Sequence, residues 1–166
     1  MSGAAHERKL LFDRWMAAHA PDNSAVLFRV TPPEFILSDA ATALLQRAQS
    51  SGRMCLYIAC LGDPAITAIP FYIGKSVTPY QRWSSGHLGR LRKAARSTLS
   101  GSYARWLPLL ASTTTPPHIL CVDESQIQFA PIPQFPTLVG SVEYQLVALA
   151  DDAYRGYLMN SEGTAR

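Results

Sequence analysis

Residues 54–76, MCLYIACLGDPAITAIPFYIGKS, determine the fold. Residues 54–61 are rich in β-branched and aromatic side chains, a composition that predicts a buried strand. Gly62, Asp63 and Pro64 then turn the chain, and residues 69–73 predict a returning strand that pairs antiparallel with the first. A third short strand is predicted at residues 118–122 (HILCV).

Helical patterns flank these strands. Residues 138–154 carry apolar side chains at the helical interval, and proline suits the first turn of a helix beginning near Pro79. We expect residues 84–86 (SSG) to interrupt that helix, and a basic helix to continue over residues 87–96. The elements predicted before the strands are a helix at 7–18, a strand at 25–30 and a helix at 39–49 with Ser38 as its N-cap.

Charge is segregated along the chain. The 166 residues are 48% hydrophobic and 16% charged, which fits one domain with one core and excludes a disordered chain. Residues 64–122 contain seven basic and no acidic residues, whereas the remainder has eight basic and twelve acidic residues. Such a field suits a polyanion, and nucleic acid is the commonest one.

Several classes of protein are excluded by missing patterns. The sequence has neither the long apolar core of a secretory signal nor a run of about 20 apolar residues that would span a membrane. We therefore expect a cytoplasmic protein without a membrane partner. The three cysteines form no CxxC pair, so buried reduced thiols are expected. Gly74, Lys75 and Ser76 follow a strand as in a phosphate-binding loop, but Ile69 occupies the position of its first glycine.

One ordered set of polar residues remains. Tyr57 lies in the first strand, and Tyr72 opens Tyr-Ile-Gly in the second. Arg82 follows ten residues later, then His87, and Glu143, within a later apolar helix, is the only acid between Gln126 and Ala150. Together they resemble the GIY-YIG nuclease superfamily over roughly residues 54–160, although Cys55 and Leu56 replace Gly-Ile in the first motif. The resemblance implies an α/β domain of the α+β type, with a small three-stranded antiparallel sheet flanked by helices. We expect it to occupy residues 53–166, with residues 1–52 as an extension packed on it.

The resemblance also implies a chemistry, that of a metal-dependent DNA endonuclease. Phosphodiester hydrolysis needs deprotonated water and stabilisation of charge on the phosphate. By analogy Tyr57 is the general base, Tyr72 positions water or phosphate, and Arg82 grips the scissile phosphate. Glu143 holds Mg²⁺ or Mn²⁺, a hard cation suited to one carboxylate, water and phosphate oxygens. The supporting residues are Lys75, beside the tyrosines, and Asn160, which matches an asparagine at the end of the family's core.

The interval to His87 departs from the family. In much of the superfamily the histidine lies one helical turn after the arginine, whereas His87 follows Arg82 by five residues and Gly86 occupies the i+4 position. A break at residues 84–86 would absorb the extra residue. His87 would then hydrogen-bond the phosphate or a tyrosine hydroxyl.

The basic segment supplies a second kind of candidate, a surface that follows the DNA backbone. Its predicted nucleic-acid contacts are Lys75, Arg90, Arg92, Lys93, Arg96 and Arg105. Two rival hypotheses are a nucleic-acid-binding module of the same fold without cleavage, and a protein-interaction domain whose charge is incidental. The sequence is compatible with a protein that acts alone, as a homodimer or in a larger assembly.

Overall fold

The main sheet consists of four antiparallel strands. A computed structural model describes residues 2–31, 34–96, 102–112 and 114–160. Within these ranges the main sheet comprises Ser24–Val26 (β1), Cys55–Leu61 (β4), Ile69–Ser76 (β5) and Pro117–Asp123 (β6), in the order β1-β6-β4-β5. Phe28–Val30 (β2) and Ile36–Leu37 (β3) pair separately. The mixed α/β class is confirmed. The predicted count of three strands is wrong, because β1 adds to the outer side of β6.

Helices cover both faces of this sheet. They are Gly3–His19 (α1), Asp39–Ser50 (α2), Pro79–Gln81 (α3), Leu88–Ala95 (α4), Trp106–Ser112 (α5) and Val139–Ala153 (α6). A π-helix, Arg82–His87, joins α3 to α4, and short 3-10 helices lie at Ser102–Arg105 and Glu124–Gln126. The predicted N-cap of α2 is confirmed, since the Ser38 side chain accepts a hydrogen bond from the Ala41 N–H.

The predicted strand at residues 25–30 is divided between two sheets. Leu27 is fully buried, and its N–H donates to the carbonyl of Pro117, the first residue of β6. Beyond Leu27, Phe28 pairs with Leu37 instead. The alternation of side chains does not reveal this exchange of partners, since both halves of the segment have extended backbone.

The central strand β4 is buried along its whole length. On one face Tyr57 packs in a cluster with Trp83, Trp106 and residues of α2. On the other face Leu56 packs in a second cluster with side chains of α1 and α6. Because helices cover both faces, the strand is a continuous apolar run and does not alternate with polar residues.

Strand β5 forms one edge of the main sheet and carries a bulge. Ala59 pairs with Tyr72 and Cys60 with Pro70, so Phe71 is the extra residue. Pro70 is tolerated because an edge strand needs fewer backbone donors. Met159 and Asn160 run along the outer side of β5, where Met159 N–H donates to the Phe71 carbonyl.

Two predictions from composition can be compared with the structure. All three cysteines are buried and form no disulfide, as expected. In the parts of the chain that the structure describes, no helix combines the length and apolar character needed to cross a membrane.

Candidate functional site

A cleft of about 480 Å³ opens at the end of edge strand β5. It collects residues from β4, β5, the π-helix, α6 and the segment after α6. Six of the seven predicted catalytic and supporting residues line it: Tyr57, Tyr72, Lys75, Arg82, Glu143 and Asn160. The seventh, His87, is 1% exposed and lies beneath the tyrosines.

The two tyrosines lie on the same side of the main sheet. Tyr57 pairs with Gly74, two residues after Tyr72, so strand alternation puts both phenols on one face. Their ring centroids are 6.2 Å apart and the planes differ by 17°. Gly74 makes this packing possible, because a Cβ there would lie 2.6 Å from the Tyr57 hydroxyl oxygen. The glycine of Tyr-Ile-Gly is therefore required by the tyrosine on the neighbouring strand.

Arg82 brings a permanent positive charge to these phenols. Burial raises the pKa of Tyr57 above its ordinary value, and the neighbouring Tyr72 adds to that rise, while the nearby Arg82 guanidinium opposes it. Burial likewise raises the pKa of Tyr72. The Tyr57 and Tyr72 hydroxyls are therefore protonated in the free protein at neutral pH. Arg82 itself is exposed to the cleft.

The π-helix accounts for the unusual interval between Arg82 and His87. The Leu88 N–H bonds to the Trp83 carbonyl, five residues earlier, so this turn holds one more residue than an α-helical turn. The predicted interruption at residues 84–86 is wrong, because the helix widens there and continues into α4. His87 Nε2 lies 3.2 Å from Tyr57 Oη and its Nδ1 lies 2.7 Å from Tyr103 Oη. Burial, with the charges of Arg82 and Arg90, lowers the pKa of His87 to about 3.

Lys75 and Glu143 approach from the opposite side of β5. Ile73 and Lys75 alternate with Tyr72 and Gly74, so they face α6. The Lys75 Nζ lies 2.9 Å from Glu143 Oε2, and both side chains are partly exposed. Gly140, one turn before Glu143, lies beside the ammonium, and a Cβ there would be in ordinary van der Waals contact with Nζ at 3.5 Å. The cleft thus unites groups from both faces of the main sheet around its edge.

The side chains of the cleft suit only a metal ion whose ligands are mostly water molecules and phosphate oxygens. No group of three or more His, Cys, Asp or Glu side chains that could hold a metal occurs in the described ranges. Glu143 offers a hard carboxylate, and Mg²⁺ is often bound by one or two carboxylates together with water and phosphate. The donor set therefore suits Mg²⁺ or Mn²⁺ and does not suit a structural zinc.

Asn160 lines the cleft but its amide contacts the backbone of β5. Its Oδ1 accepts from the Ile73 N–H at 3.0 Å, and its Nδ2 donates to the Ile73 carbonyl at 2.6 Å. These bonds satisfy both outward-facing backbone groups of Ile73 and cover the strand edge. The position of Asn160 supports the strand that carries Tyr72 and Lys75.

Apart from Lys75, the predicted DNA-contacting residues lie outside the residues that line the cleft. Arg92 donates to the Glu34 and Phe35 carbonyls, which ties α4 to the segment before β3. Arg90 lies over the Tyr103 ring at 5.7 Å. The remaining basic side chains of this set are exposed: Lys93, Arg96 and Arg105.

Sequence reasoning missed three features of the site. Tyr103 contacts His87, Gly140 lies beside Lys75, and Tyr144 lines the cleft with 70% of its surface exposed. Gly140 lies one helical turn before Glu143 and Tyr144 directly follows it, so the pattern around that carboxylate could have indicated them. No spacing rule connects Tyr103 to His87, because α4 ends at Ala95 and Tyr103 lies in the separate 3-10 helix Ser102–Arg105.

Comparison with known proteins adds no relative on which to base an assignment. No protein-family model, no curated protein and no solved structure matches this chain. The residues of the cleft are therefore the basis for assigning a function.

Proposed function

We propose that this protein is a metal-dependent endonuclease that hydrolyses phosphodiester bonds in DNA, with a site of the GIY-YIG kind. One observation carries the proposal: a single cleft holds two phenols, a guanidinium, an ammonium and a carboxylate from separate parts of the sequence. Each of these groups corresponds to one requirement of phosphodiester hydrolysis.

The two cations suit binding of a phosphodiester. Arg82 is exposed, and its planar guanidinium can donate two parallel hydrogen bonds to phosphate oxygens. Lys75 lies on the other side of β5, with its side chain 43% exposed. A phosphate between them would be held from both sides of the strand edge. Lys93, Arg96 and Arg105 are exposed and would contact the DNA backbone beyond the cleft.

Tyr57 is the candidate general base. Its hydroxyl lies beside His87 and Arg82, two groups able to donate hydrogen bonds to its oxygen. Such donors favour the phenolate and oppose the effect of burial on the pKa of Tyr57. After losing its own proton to solvent, Tyr57 would accept the proton of the attacking water as a phenolate, and Tyr72, near-parallel to it, would orient that water or the phosphate.

Glu143 would hold the metal. Bound Mg²⁺ or Mn²⁺ would supply positive charge to the phosphate and lower the pKa of a bound water. Metal binding at Glu143 competes with Lys75, because the ammonium already contacts Oε2. When Lys75 turns to a phosphate, the carboxylate is released for the cation.

The test is cleavage of supercoiled plasmid by the purified protein with Mg²⁺ or Mn²⁺. We expect nicking that is abolished by EDTA and reduced at least a hundredfold in Glu143→Gln. The matched control is Glu124→Gln, which makes the same chemical change at an exposed residue outside the cleft. Equal cleavage by Glu143→Gln and the unchanged protein would contradict the proposal.

A second candidate is a nucleic-acid-binding module of the same fold without cleavage. The Lys75–Glu143 ion pair favours it, because a neutralised carboxylate binds a cation less well. This candidate predicts salt-dependent DNA binding that Glu143→Gln leaves intact and no metal-dependent cleavage.

A further inference from the structure

A buried histidine connects two tyrosines. His87 is 1% exposed, and each of its ring nitrogens contacts one hydroxyl: Nε2 that of Tyr57 and Nδ1 that of Tyr103. A neutral imidazole has one protonated and one unprotonated nitrogen, so the ring can donate to one tyrosine and must accept from the other. The identity of the donor decides which hydrogen bonds reach Tyr57.

The lengths of the two contacts between His87 and the tyrosine hydroxyls indicate which ring nitrogen carries the proton. The distance from His87 Nδ1 to Tyr103 Oη is 2.7 Å, which is typical of a hydroxyl donor. The distance from His87 Nε2 to Tyr57 Oη is 3.2 Å, at the long end of the range for a ring N–H donor. The Arg82 guanidinium, which can only donate, lies near enough to the Tyr57 hydroxyl to oppose the rise of its pKa.

We propose that Tyr103 is a positioning residue: it donates its hydroxyl hydrogen to His87 Nδ1 and thereby holds the imidazole proton on Nε2, directed at the Tyr57 oxygen. The consequence for catalysis rests on the proposed function. With this tautomer, His87 donates to Tyr57 while the charge of Arg82 lies nearby, and both favour the phenolate that a general base requires. With the other tautomer, Tyr57 would instead donate its own hydroxyl hydrogen to the unprotonated Nε2 of His87.

The surroundings of Tyr103 support this role. Its ring lies 5.1 Å from Trp106 and 5.7 Å beneath the Arg90 guanidinium, so the side chain is held from two sides. His87 in turn packs against Trp83 at 4.6 Å and Trp106 at 5.6 Å. Both partners of the short contact are thus fixed by neighbouring rings. Burial keeps the imidazole neutral at physiological pH, because it lowers the pKa of His87 to about 3.

The tautomer is measurable directly by NMR on protein labelled with ¹⁵N in its histidine rings. We expect His87 to be protonated on Nε2, with its signals assigned by their loss in His87→Gln. His19 serves as an internal reference, because its ring carries the proton on the other nitrogen. Its Nε2 accepts from the Gln128 N–H at 2.9 Å, so its proton must lie on Nδ1, which contacts the Trp15 carbonyl.

Two hydroxyl deletions complete the test. In Tyr103→Phe we expect the His87 Nδ1 resonance to shift and the single tautomer to be replaced by a mixture, because Nδ1 has lost its donor. Tyr80→Phe makes the same change at a half-buried tyrosine outside the cleft and should leave His87 unchanged. A His87 protonated on Nδ1 in the unchanged protein, or unaltered by Tyr103→Phe, would overturn the proposal.

Turnover provides a separate measurement. If the protein cleaves DNA, Tyr103→Phe should lower turnover about tenfold with little change in DNA affinity, as for other residues that orient a functional histidine. Unchanged turnover in an active enzyme would also overturn the role of Tyr103. The tautomer is measured without DNA, so its outcome is independent of whether the proposed nuclease activity exists.

Discussion

At the scale of single residues, Gly74 is the position where the fold and the site depend most directly on one another. Its missing side chain leaves space for the Tyr57 ring, and a Cβ would lie within 2.7 Å of two ring carbons. Tyr57 is 1% exposed and contacts Trp83 and His87, so the ring has little room to retreat. The same glycine thus sets the position of the candidate base.

We expect Gly74→Ala to lower the free energy of unfolding by about 1–3 kcal/mol, the usual effect of overpacking. Urea unfolding followed by tryptophan fluorescence measures it. Gly89→Ala is the control, since Gly89 lies in α4 with no atom within 4 Å of the added Cβ. There alanine should stabilise the protein by about 0.5–1 kcal/mol through helix propensity. A Gly74→Ala protein as stable as its parent would show that Tyr57 does not pack on Gly74.

A second prediction at this scale concerns Lys75, because its ammonium pairs with the Glu143 carboxylate that would hold the metal. In Lys75→Met we expect Glu143 to bind Mn²⁺ up to about fivefold more tightly in the absence of DNA. This change in affinity corresponds to the free energy of a partly exposed ion pair. Titration calorimetry measures the affinity. Lys93→Met, which removes the same charge at an exposed residue outside the cleft, should change it little. Weaker Mn²⁺ binding by Lys75→Met would argue against competition between ammonium and cation.

At the scale of elements, the π-helix allows α4 to keep its packing despite one extra residue. A wide turn absorbs an inserted residue without rotating the helix that follows, so Leu88 and Leu91 still face the core. Such turns often occur at functional sites. Here the turn carries Arg82 at its start and His87 at its end.

This interpretation predicts that two single-residue deletions differ sharply. Removing exposed Ser85 should convert the π-helix to an α-helix, leave Leu91 buried and cost less than about 1 kcal/mol. Removing Gly89, within regular α4, would rotate the following residues by about 100°. Leu91 would then leave the core at a cost of about 2–5 kcal/mol. Unfolding free energies of both deletion proteins test this, and equal losses would contradict it.

At the scale of the whole molecule, two buried histidines connect stability to pH. Burial lowers the pKa of His19 and brings that of His87 to about 3, whereas an unfolded histidine has a pKa of about 6.5. Between these values the unfolded chain binds more protons, so stability is complete above pH 6.5 and falls as pH falls toward 3. The groups facing His87 are Tyr57, Tyr103, Arg82 and Arg90, and both arginines oppose its protonation.

We expect the free energy of unfolding to decrease by about 2 kcal/mol for His87 alone between pH 6.5 and pH 5. Urea unfolding at several pH values measures the slope. In His87→Gln the slope should be smaller, with the His19 contribution remaining. An unchanged slope in that variant would mean that His87 takes up its proton equally in the folded and unfolded chains.

The sequence predicted the strands and long helices well, because local patterns determine them. The strands around Tyr57 and Tyr72 and the helix around Glu143 are recognisable from composition and spacing alone. The placement of Tyr57, Tyr72, Arg82 and Glu143 in one cleft agrees with the spatial expectation of the family resemblance, while their chemical roles stay predictions. The pairing of β1 with β6, the π-helix and the contacts of Tyr103 could not be predicted. Each depends on partners distant in sequence or on hydrogen bonds that no local pattern specifies.

The bulge in β5 has one consequence for how the candidate site is assembled. Tyr72 and Lys75 belong to the same strand but serve opposite layers of helices. A slip of β5 by one residue would exchange them, turning the phenol toward α6 and the ammonium toward Trp83. Phe71, accommodated as the extra residue, and the amide of Asn160, fastened to Ile73, both resist such a slip. Correct alignment of this one outer strand therefore brings together the two halves of the candidate site.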